Sequence, residues 1–322
     1  MDRVLLTDRG WPDADIERSL CEAAGYRLVE APPPADEASL AALAAEADPV
    51  GILFCWAPVT GKVLDAAPRL QVATRLGVGL DNIDLDTAAR RRITVTRVPD
   101  YCVEDVSDHV VALVHAWARG IVGYDRDVHA GRWQPGARTL RRIRDLTIGV
   151  WGLGAIGSRT AAKFAALGCR VLCDDRHPER TSYDVTAVPV GRLLADCDVL
   201  TLHMPATPDT AGLIDAHALA AMRPGALLVN TSRGSLVDVD ALARALEHGR
   251  PGAAALDVLP DEPAVPPALA GNPNVILTPH VAFSSDASVT ELRVRATEDL
   301  LRVLRGEPPL HPVPPPSGPS TG

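Results

Sequence analysis

The chain has 322 residues, of which 47% are hydrophobic and 23% are charged. At roughly 150 residues per domain this length favours two domains, and the composition excludes disorder or a fibrous structure for most of the chain. Acidic residues (41) outnumber basic residues (32), and the net charge of −9 excludes a general electrostatic attraction to nucleic acid or to an anionic membrane surface. These numbers favour an enzyme that acts on small molecules.

Membrane insertion, secretion and metal binding all lack a sequence signal. The longest stretch without formal charge near the middle of the chain, His109 to Ala118, is about half of a membrane span. The early apolar run Val4–Leu6 is too short for a signal peptide. Six cysteines are scattered without a CxxC pair, which is typical of reduced thiols, and no group of His, Cys and Asp has metal-ligand spacing. We therefore expect a cytoplasmic protein without a metal site.

The first hundred residues alternate short apolar runs with helical patterns. Strands are predicted at residues 3–7, 51–55, 70–75 and 93–96. Helical patterns cover residues 15–24 and 63–67, and a long helix is predicted from Val103 to Tyr124. Continuous apolar strands separated by helices indicate a parallel α/β sheet that is buried on both faces.

A second α/β series follows the long helix. Its strands are predicted at residues 147–151, 170–173, 199–203, 226–230, 252–257 and 275–278, with a helix at 156–167. The last predicted helix, 287–305, returns to complete the first domain. We thus predict two doubly wound parallel-sheet domains: a discontinuous domain of residues 1–102 and 288–307, and an inserted domain of residues 103–287. The tail, 308–322, is rich in Pro, Ser and Gly and is predicted to be disordered.

A glycine motif directly follows the first strand of the second series. In Gly152-Leu-Gly154-Ala-Ile-Gly157, the glycines permit a tight turn, close approach to a pyrophosphate and close helix packing. Asp175 ends the next strand, where a carboxylate binds the ribose hydroxyls and favours NAD over NADP. The adjacent Arg176 keeps NADP open as an alternative. A packing turn without any ligand is the structural alternative.

Three later segments place charged side chains after strands. Arg233 follows one strand, Asp257 and Glu262 follow the next, and His280 follows the last. Carboxyl ends of parallel strands share one edge, where α/β proteins bind ligands. Each residue alone is commonly structural, but the set after a dinucleotide motif predicts a site.

The ordered motifs of the chain resemble those of the D-isomer-specific 2-hydroxyacid dehydrogenases. The resemblance rests on TRLGVGLDNID, GLGAIG, Asp175, LHMPATPDT, LVNTSRGSLVD, ALDVLPDEP and TPHVAFSSDAS, and it covers the chain except for the tail. RVPDYCVEDVSDH and Phe283 are most similar to the branch that includes the C-terminal-binding proteins. The resemblance implies a Rossmann NAD-binding domain inserted in a flavodoxin-like substrate-binding domain, and a homodimer.

The resemblance also implies roles for individual residues. His280 is the proton donor and acceptor, Glu262 is its partner and favours the imidazolium, and Arg233 binds the substrate carboxylate. Asp257 is expected to bind the carboxamide of NAD. The residues expected to contact the cofactor are Gly152, Gly154, Ala155, Ile156, Gly157, Asp175, His203, Met204, Pro205, Thr210, Thr231, Ser232, Arg233, Asp257 and His280.

A second group of residues is expected to bind the substrate. The backbone N–H groups of the loop with Val78 and Gly79 resemble a carboxylate-binding loop. The complete expected set is Trp56, Arg75, Val78, Gly79, Tyr101, Arg233 and Phe283. For Arg75 a salt-bridged strand residue is an equally good interpretation, and for Trp56 core packing is nearly as good. His109 lies on the long helix without a visible partner and is interpreted as structural.

The sequence therefore predicts an NAD-dependent oxidoreductase that interconverts a 2-oxo acid and a D-2-hydroxy acid. Two alternatives stay open. The substrate of the enzyme could carry a phosphate or phosphonate, because Arg75 and Arg233 together suit a dianion. The protein could instead be an NAD(H)-sensing interaction protein with vestigial catalysis, although the intact Arg233, Glu262 and His280 set argues against this.

Overall fold

The structure is a computed structural model, and it describes residues 1–33, 35–175, 177 and 185–316. The chain divides into two compact units, one formed by Met1–Tyr101 with the chain from Ser285 onward and the other by Cys102–Ser284. Each unit is built on a parallel sheet.

The first unit contains the first sheet, whose described strands have the order β2-β1-β3-β4-β5. The strands are β1 (Arg3–Leu6), β2 (Arg27–Glu30), β3 (Gly51–Phe54), β4 (Val72–Arg75) and β5 (Thr94–Arg97). All neighbouring pairs are parallel, and this is the flavodoxin-like order. The sequence did not predict β2, because only Leu28 of its four residues is buried and the segment has no continuous apolar run.

Five helices accompany the first sheet in the described residues. They are α1 (Asp15–Ala23), α2 (Glu37–Ala47), α3 (Gly61–Asp65), α4 (Leu85–Arg90) and the C-terminal helix α12 (Asp286–Leu304). A capping box of Ser285 and Ser288 starts α12. On α12, Leu300 packs against Gly51 of β3, and the buried Arg293 donates to the fully buried Glu17 of α1. These contacts explain why the C-terminal helix belongs to the first unit.

The beginning of the tail differs from the prediction of a disordered segment. Val313 N–H donates to the Val95 carbonyl (2.8 Å), and Thr96 forms an antiparallel bridge with Pro312. Asp299 accepts hydrogen bonds from the N–H groups of Leu310 and His311. The segment therefore covers the exposed edge of β5, where unpaired backbone groups favour a further strand. Residues 317–322 lie outside the described residues.

The second unit contains the second sheet, with the described strand order β12-β11-β10-β9-β6-β7-β8. Its strands are β6 (Thr147–Trp151), β7 (Arg170–Asp174), β8 (Thr186–Ala187), β9 (Val199–Leu202), β10 (Leu227–Asn230), β11 (Ala253–Leu256) and β12 (Val275–Leu277). The order from β8 to β11 is the Rossmann order, and β12 extends it by one parallel strand. The fold is thus two doubly wound α/β units, as predicted.

The helices of the second unit are α5 (Val103–Ala118), α6 (Ile121–His129), α7 (Ala155–Ala166), α8 (Val190–Asp196), α9 (Ala216–Ala221), α10 (Val239–Glu247) and α11 (Pro267–Ala270). The prediction of one helix from Val103 to Tyr124 is wrong, because Gly120 adopts a left-handed conformation (φ 63°) that ends α5 and begins α6. A buried cluster that includes Val110, Ile148 and Phe164 joins α5, β6 and α7. No helix in the described part of the chain is both long and apolar enough to cross a membrane.

Candidate active site

The carboxyl edge of the second sheet collects the polar residues that the sequence singled out. Because β6, β10, β11 and β12 are parallel members of one sheet, the segments that follow them leave at the same edge. The glycine turn follows β6, Arg233 follows β10, Asp257 follows β11 and His280 follows β12.

The central pair at this edge is a histidine and a glutamate. His280 Nδ1 lies 2.7 Å from Glu262 Oε2, and the two side chains are 26% and 35% exposed. Burial alone would raise the pKa of Glu262, but hydrogen bonds from His280 and the Leu259 N–H, with the charges of His280 and Arg233, lower it. The ring of Phe283 meets the His280 ring edge to face at 6.2 Å. The pair is therefore oriented and still reached by solvent, as proton exchange with a ligand requires.

The backbone of His280 is strained and is held by Asp257. His280 has a φ of 53°, in the left-handed region that costs a non-glycine residue about 1–2 kcal/mol. Its N–H donates to the Asp257 carbonyl (2.8 Å). The buried Asp257 carboxylate accepts the N–H groups of Val281 and Ala282 and the hydroxyl of Thr278. Asp257 thus fixes the turn that presents His280.

The segment with Arg233 is held by a buried asparagine and a glycine. Asn230 is 1% exposed; its Oδ1 accepts the Ser232 N–H (3.0 Å) and its Nδ2 donates to the Arg233 carbonyl (2.8 Å). A Cβ on Gly234 would lie 2.0 Å from the carbonyl carbon of Leu259. Only glycine therefore permits the close approach of this segment to the chain that leads to Glu262.

The glycine turn has the geometry of a dinucleotide-binding turn. Gly152 has a φ of 94°, and a Cβ on Gly157 would lie 2.0 Å from the Gly152 carbonyl oxygen, so both positions require glycine. A Cβ on Gly154 meets no described atom within 4 Å, which leaves the start of α7, with Ala155 and Ile156, open to a ligand. The N–H groups at such a helix start favour phosphate. The turn therefore fits the pyrophosphate of NAD.

The ribose-binding prediction falls on two adjacent carboxylates. Asp175 accepts the Leu153 N–H (2.6 Å) and the His177 N–H (2.7 Å), so it is directed at the glycine turn. Burial, and then the charge of Asp175, raise the pKa of Asp174. Two carboxyl groups at this strand end disfavour a 2′-phosphate. Arg176, which kept NADP open, lies outside the described residues.

Several of the predicted cofactor residues follow β9. His203 N–H donates to the Trp151 carbonyl, and its Nε2 lies 3.0 Å from Thr201 Oγ1. Burial lowers the pKa of His203 to about 4, so this imidazole is neutral near pH 7. The loop that follows contains Met204 and is tied by the hydroxyl of Thr210, which donates to the Pro205 carbonyl (2.8 Å).

Two residues after β10 complete this group. Ser232 Oγ donates to the Leu202 carbonyl (2.6 Å) and joins the ends of β9 and β10. Thr231 Oγ1 is buried and has no hydrogen-bond partner within the described residues. A buried hydroxyl without a partner is costly, and a bound cofactor would supply one. This orphaned atom is a second observation that fits a ligand at this edge.

The loop after β4 in the first unit has a distinct arrangement. Arg75 donates to the carbonyls of Leu76 (2.7 Å) and Gly79 (3.0 Å), Arg97 donates to that of Val78, and Val98 donates to that of Gly77. Within the described part of the chain, the N–H groups of residues 77–79 donate no hydrogen bond. The loop therefore turns its carbonyls to internal donors, and the binding of an anion by its amides stays a prediction.

Arg75, which was expected to bind the substrate, is buried. Its side chain is 7% exposed, its guanidinium bonds backbone carbonyls, and it lies 5.9 Å from the Phe54 ring centroid. Arg75 therefore shapes the loop, and neither a salt bridge nor an open anion site describes it. Tyr101 is 8% exposed and is therefore buried, and its contact with the substrate stays a prediction.

The predicted substrate residue Trp56 is positioned by a carboxylate that the sequence interpretation missed. Asp8, after β1, accepts the N–H groups of Cys55 (2.8 Å), Trp56 (2.6 Å) and Ala57 (3.0 Å). Trp56 is 43% exposed, and a Cβ on Gly10 would lie 2.3 Å from its ring. The indole therefore packs over Gly10 and is not a core residue. Asp8 was detectable, because it follows a strand as Asp257 does.

The glycine turn, the Rossmann strand order and the polar edge of the second sheet define a nucleotide-binding α/β protein. The family described as D-isomer specific 2-hydroxyacid dehydrogenase, NAD binding domain, matches residues 111–282. The chain belongs to the D-isomer-specific 2-hydroxyacid dehydrogenase family, as its motifs indicated. The narrower resemblance to the C-terminal-binding-protein branch stays a prediction.

The proteins to which the chain is similar include two differently named enzymes. The chain is 38% identical over 282 residues to the D-3-phosphoglycerate dehydrogenase of Mycobacterium leprae (strain TN), an alignment that covers 87% of this chain and 52% of that protein. It is 36% identical over 261 residues to the glyoxylate reductase of Korarchaeum cryptofilum (strain OPF8), with 78% of each covered. The chain thus spans about half the length of the phosphoglycerate dehydrogenase that it matches.

A solved structure agrees with the described fold over nearly the whole chain. The NADPH-dependent glyoxylate/hydroxypyruvate reductase of Sinorhizobium meliloti, crystallised with NADP and malonate, has a TM-score of 0.85 and 32% identity. The alignment covers 97% of this chain and 96% of that chain. The similarity therefore includes both units.

Proposed function

We propose that the protein is an NAD-dependent oxidoreductase that interconverts a 2-oxo acid and a D-2-hydroxy acid. The observation that carries the proposal is the His280–Glu262 hydrogen bond of 2.7 Å at the sheet edge that also holds the glycine turn and Arg233. An acid–base pair, a guanidinium and a dinucleotide turn at one edge are the groups that hydride exchange at a carbon bearing oxygen requires.

NAD is the cofactor that the residues favour. The amides at the start of α7 would bind the pyrophosphate, Asp175 the ribose hydroxyls and Thr231 Oγ1 a further polar group of the ligand. The bound nicotinamide supplies or accepts the hydride. Asp174 and Asp175 disfavour the 2′-phosphate of NADP, and we therefore propose a preference for NAD although the Sinorhizobium meliloti reductase is described as NADPH-dependent.

The acid–base step follows from the charges of the pair. During reduction of a 2-oxo acid, negative charge develops on the carbonyl oxygen, and His280 in its imidazolium form gives that oxygen a proton from Nε2. Glu262 stabilises the imidazolium through Nδ1 and stays a carboxylate because its pKa is lowered. In the oxidation direction, neutral His280 takes the hydroxyl proton. Arg233 binds the carboxylate and polarises the carbonyl.

We propose that the rest of the substrate is bound with the help of a group of residues that contribute in different ways. They are Trp56, Arg75, Val78, Gly79, Tyr101 and Phe283. The amides of Val78 and Gly79 would bind an anionic oxygen directly. Arg75 contributes by shaping that loop, since its guanidinium bonds the Leu76 and Gly79 carbonyls. Trp56 and Phe283 would set the size of the accepted side chain.

A phosphate-bearing hydroxy acid is the second candidate. It is favoured by the similarity to D-3-phosphoglycerate dehydrogenase and by the amides of residues 77–79. The binding of Arg75 to backbone carbonyls weakens the case, because it reduces the positive charge available to a dianion. The oriented His280–Glu262 pair likewise argues against a cofactor sensor with vestigial catalysis.

The test is NADH oxidation by the purified chain across 2-oxo acids that differ in side-chain size and charge, with phosphonate and phosphohydroxy acids included. We expect turnover with at least one unphosphorylated 2-oxo acid. In the His280→Gln variant, we expect the rate of turnover to be lower by about 10²–10⁴-fold. Tight NADH binding without turnover on any compound would contradict the proposal. Turnover only with phosphorylated compounds would favour the second candidate.

We further propose that the protein is a homodimer and that α6 and the segment after it form part of the interface. Helix α6 has no buried residue within the described chain, and Ile121, Val128 and Trp133 are 55%, 45% and 81% exposed. Such large exposed apolar side chains on one segment are typical of an interface. Trp133→Glu should yield monomers in analytical ultracentrifugation, whereas Val190→Glu on α8 should not.

A cytoplasmic location is also our proposal. All six cysteines are free and buried in the structure, and burial raises the pKa of Cys21, Cys55 and Cys197 to about 12. Such thiols suit a reducing compartment. Fractionation of cells that express the chain would test the location.

A further inference from the structure

A second histidine contacts the turn that carries His280. His109 lies on α5 (Val103–Ala118), and its Nε2 is 3.1 Å from Thr278 Oγ1. The two residues are 169 positions apart, so no local pattern could have paired them. His109 is 22% exposed. His109 therefore contacts the segment that leads to His280, although it lies on a different element.

The hydroxyl of Thr278 connects His109 to a buried carboxylate. Thr278 Oγ1 lies 2.5 Å from Asp257 Oδ1, and because a carboxylate only accepts, the hydroxyl proton points to Asp257. The lone pairs of Thr278 Oγ1 are then left to accept, so His109 donates from Nε2. The direct distance from His109 Nε2 to Asp257 Oδ1 is 3.8 Å, which is too long for a hydrogen bond. His109, Thr278 and Asp257 therefore form a chain of hydrogen bonds in which His109 donates to Thr278 and Thr278 donates to Asp257.

Asp257 connects this chain of hydrogen bonds to the backbone around His280. Its carboxylate accepts the N–H groups of Val281 (3.0 Å) and Ala282 (2.9 Å), and its carbonyl accepts the His280 N–H (2.8 Å). The left-handed His280 (φ 53°) persists only if its surroundings determine it. The Asp257 side chain is fully buried, so the orientation of its oxygens depends on the few donors around it.

We propose that His109 is a positioning residue for His280, acting through Thr278 and Asp257. Loss of the His109 donor frees the Thr278 hydroxyl to rotate, so that Asp257 loses one constraint and the turn at 280–282 gains mobility. The inference rests on the proposed function for its effect on rate, but the effect on the turn is independent of turnover. Misplacement of a reacting group by about 1 Å costs about 10²-fold in rate.

The rate test uses four single variants and one double variant. His109→Phe removes the donor with little change in size, His109→Gln keeps an N–H at similar reach, and Thr278→Val removes the hydroxyl. His115→Phe is the matched control, because His115 lies on the same helix and, among the described residues, its Nδ1 is hydrogen-bonded to the Val111 carbonyl alone (2.8 Å). We expect a loss in kcat of about 10–100-fold for His109→Phe and Thr278→Val, substantial recovery in His109→Gln, and wild-type rates in His115→Phe. The His109→Phe, Thr278→Val double variant should be no slower than the worse single variant.

A second measurement separates this inference from the proposed function. Hydrogen exchange of the peptide with the Val281 and Ala282 amides should accelerate in His109→Phe and not in His115→Phe, whether or not any 2-oxo acid is reduced. Equal exchange and equal kcat in His109→Phe and the wild type would overturn the inference. A kcat loss that His109→Gln shares in full, with unchanged exchange at 281–282, would also overturn it. Absence of wild-type turnover with accelerated exchange would contradict only the proposed function.

Discussion

The carboxyl edges of the two sheets use charged side chains in opposite ways. At the edge of the first sheet, Asp8 accepts three backbone N–H groups and Arg75 donates to backbone carbonyls, so their charges shape loops. At the edge of the second sheet, His280 and Glu262 bond each other and stay partly exposed. A carboxylate and a guanidinium thus shape loops at the first edge, whereas a carboxylate and an imidazole bond each other at the second edge and form the proposed acid–base pair. Exposure and choice of partner distinguish the two pairs.

The largest expected effect concerns the glycines of the second edge. A Cβ at Gly157 collides with the Gly152 carbonyl, whereas a Cβ at Gly154 meets open space. Gly157→Ala should therefore abolish NADH binding through loss of the turn. Gly154→Ala should keep the melting temperature and weaken NADH binding by about tenfold, because the methyl group would meet only the ligand. NADH titration with thermal melting measures both, and identical behaviour of the two variants would be inconsistent with a ligand at Gly154.

The next effect concerns the partner of His280. Glu262→Gln removes the negative charge that stabilises the imidazolium, and we expect kcat for reduction to fall by about 10–100-fold at pH 7. Steady-state kcat for reduction at pH 7, compared between the variant and the wild type, measures this. An unchanged kcat would assign Glu262 to the scaffold, like Asp8.

A smaller effect is expected at the first edge. Asp8→Ala leaves the N–H groups of residues 55–57 without their acceptor, so the free energy of unfolding should fall by about 1–3 kcal/mol. KM for the oxo acid should rise by about tenfold with kcat nearly unchanged, because Trp56 loses its position but no reacting group is lost. Asp65→Ala, an exposed carboxylate near Arg91, is the control. A loss in kcat as large as that of Glu262→Gln would break the distinction between the edges.

The prediction with the smallest effect on turnover concerns the stability of the fold. It involves His203, the second histidine that follows a strand at the second edge. Its folded pKa of about 4 lies below the ordinary value of 6.5. Between these values the unfolded chain binds the extra proton, so the free energy of unfolding falls as pH is lowered from about 6.5 to about 4. In urea titrations over this pH window, the free energy of unfolding of the wild type should fall by about 1–3 kcal/mol more than that of His203→Gln.

The sequence predicted the strands that are buried throughout, because uninterrupted apolar runs mark both sheets. It missed β2, where Leu28 alone is buried, and the break at Gly120, because the helical spacing continues across it. The sequence singled out the glycine turn, Arg233, Glu262 and His280 because they follow strands within recognisable motifs, and their roles stay predictions. Asp8, Asn230 and His109 were not singled out for the site, because their roles depend on backbone groups or on residues distant in sequence.

The most direct test of the central claim, that His280 exchanges the proton, is chemical rescue. His280→Gly removes the imidazole, and glycine adopts the left-handed conformation of this residue (φ 53°) without strain, so the turn should be retained. We predict that NADH-dependent reduction falls by about 10²–10⁴-fold and that added imidazole restores part of it in proportion to its concentration, with NADH affinity unchanged. Turnover near the wild-type rate without imidazole would contradict the account.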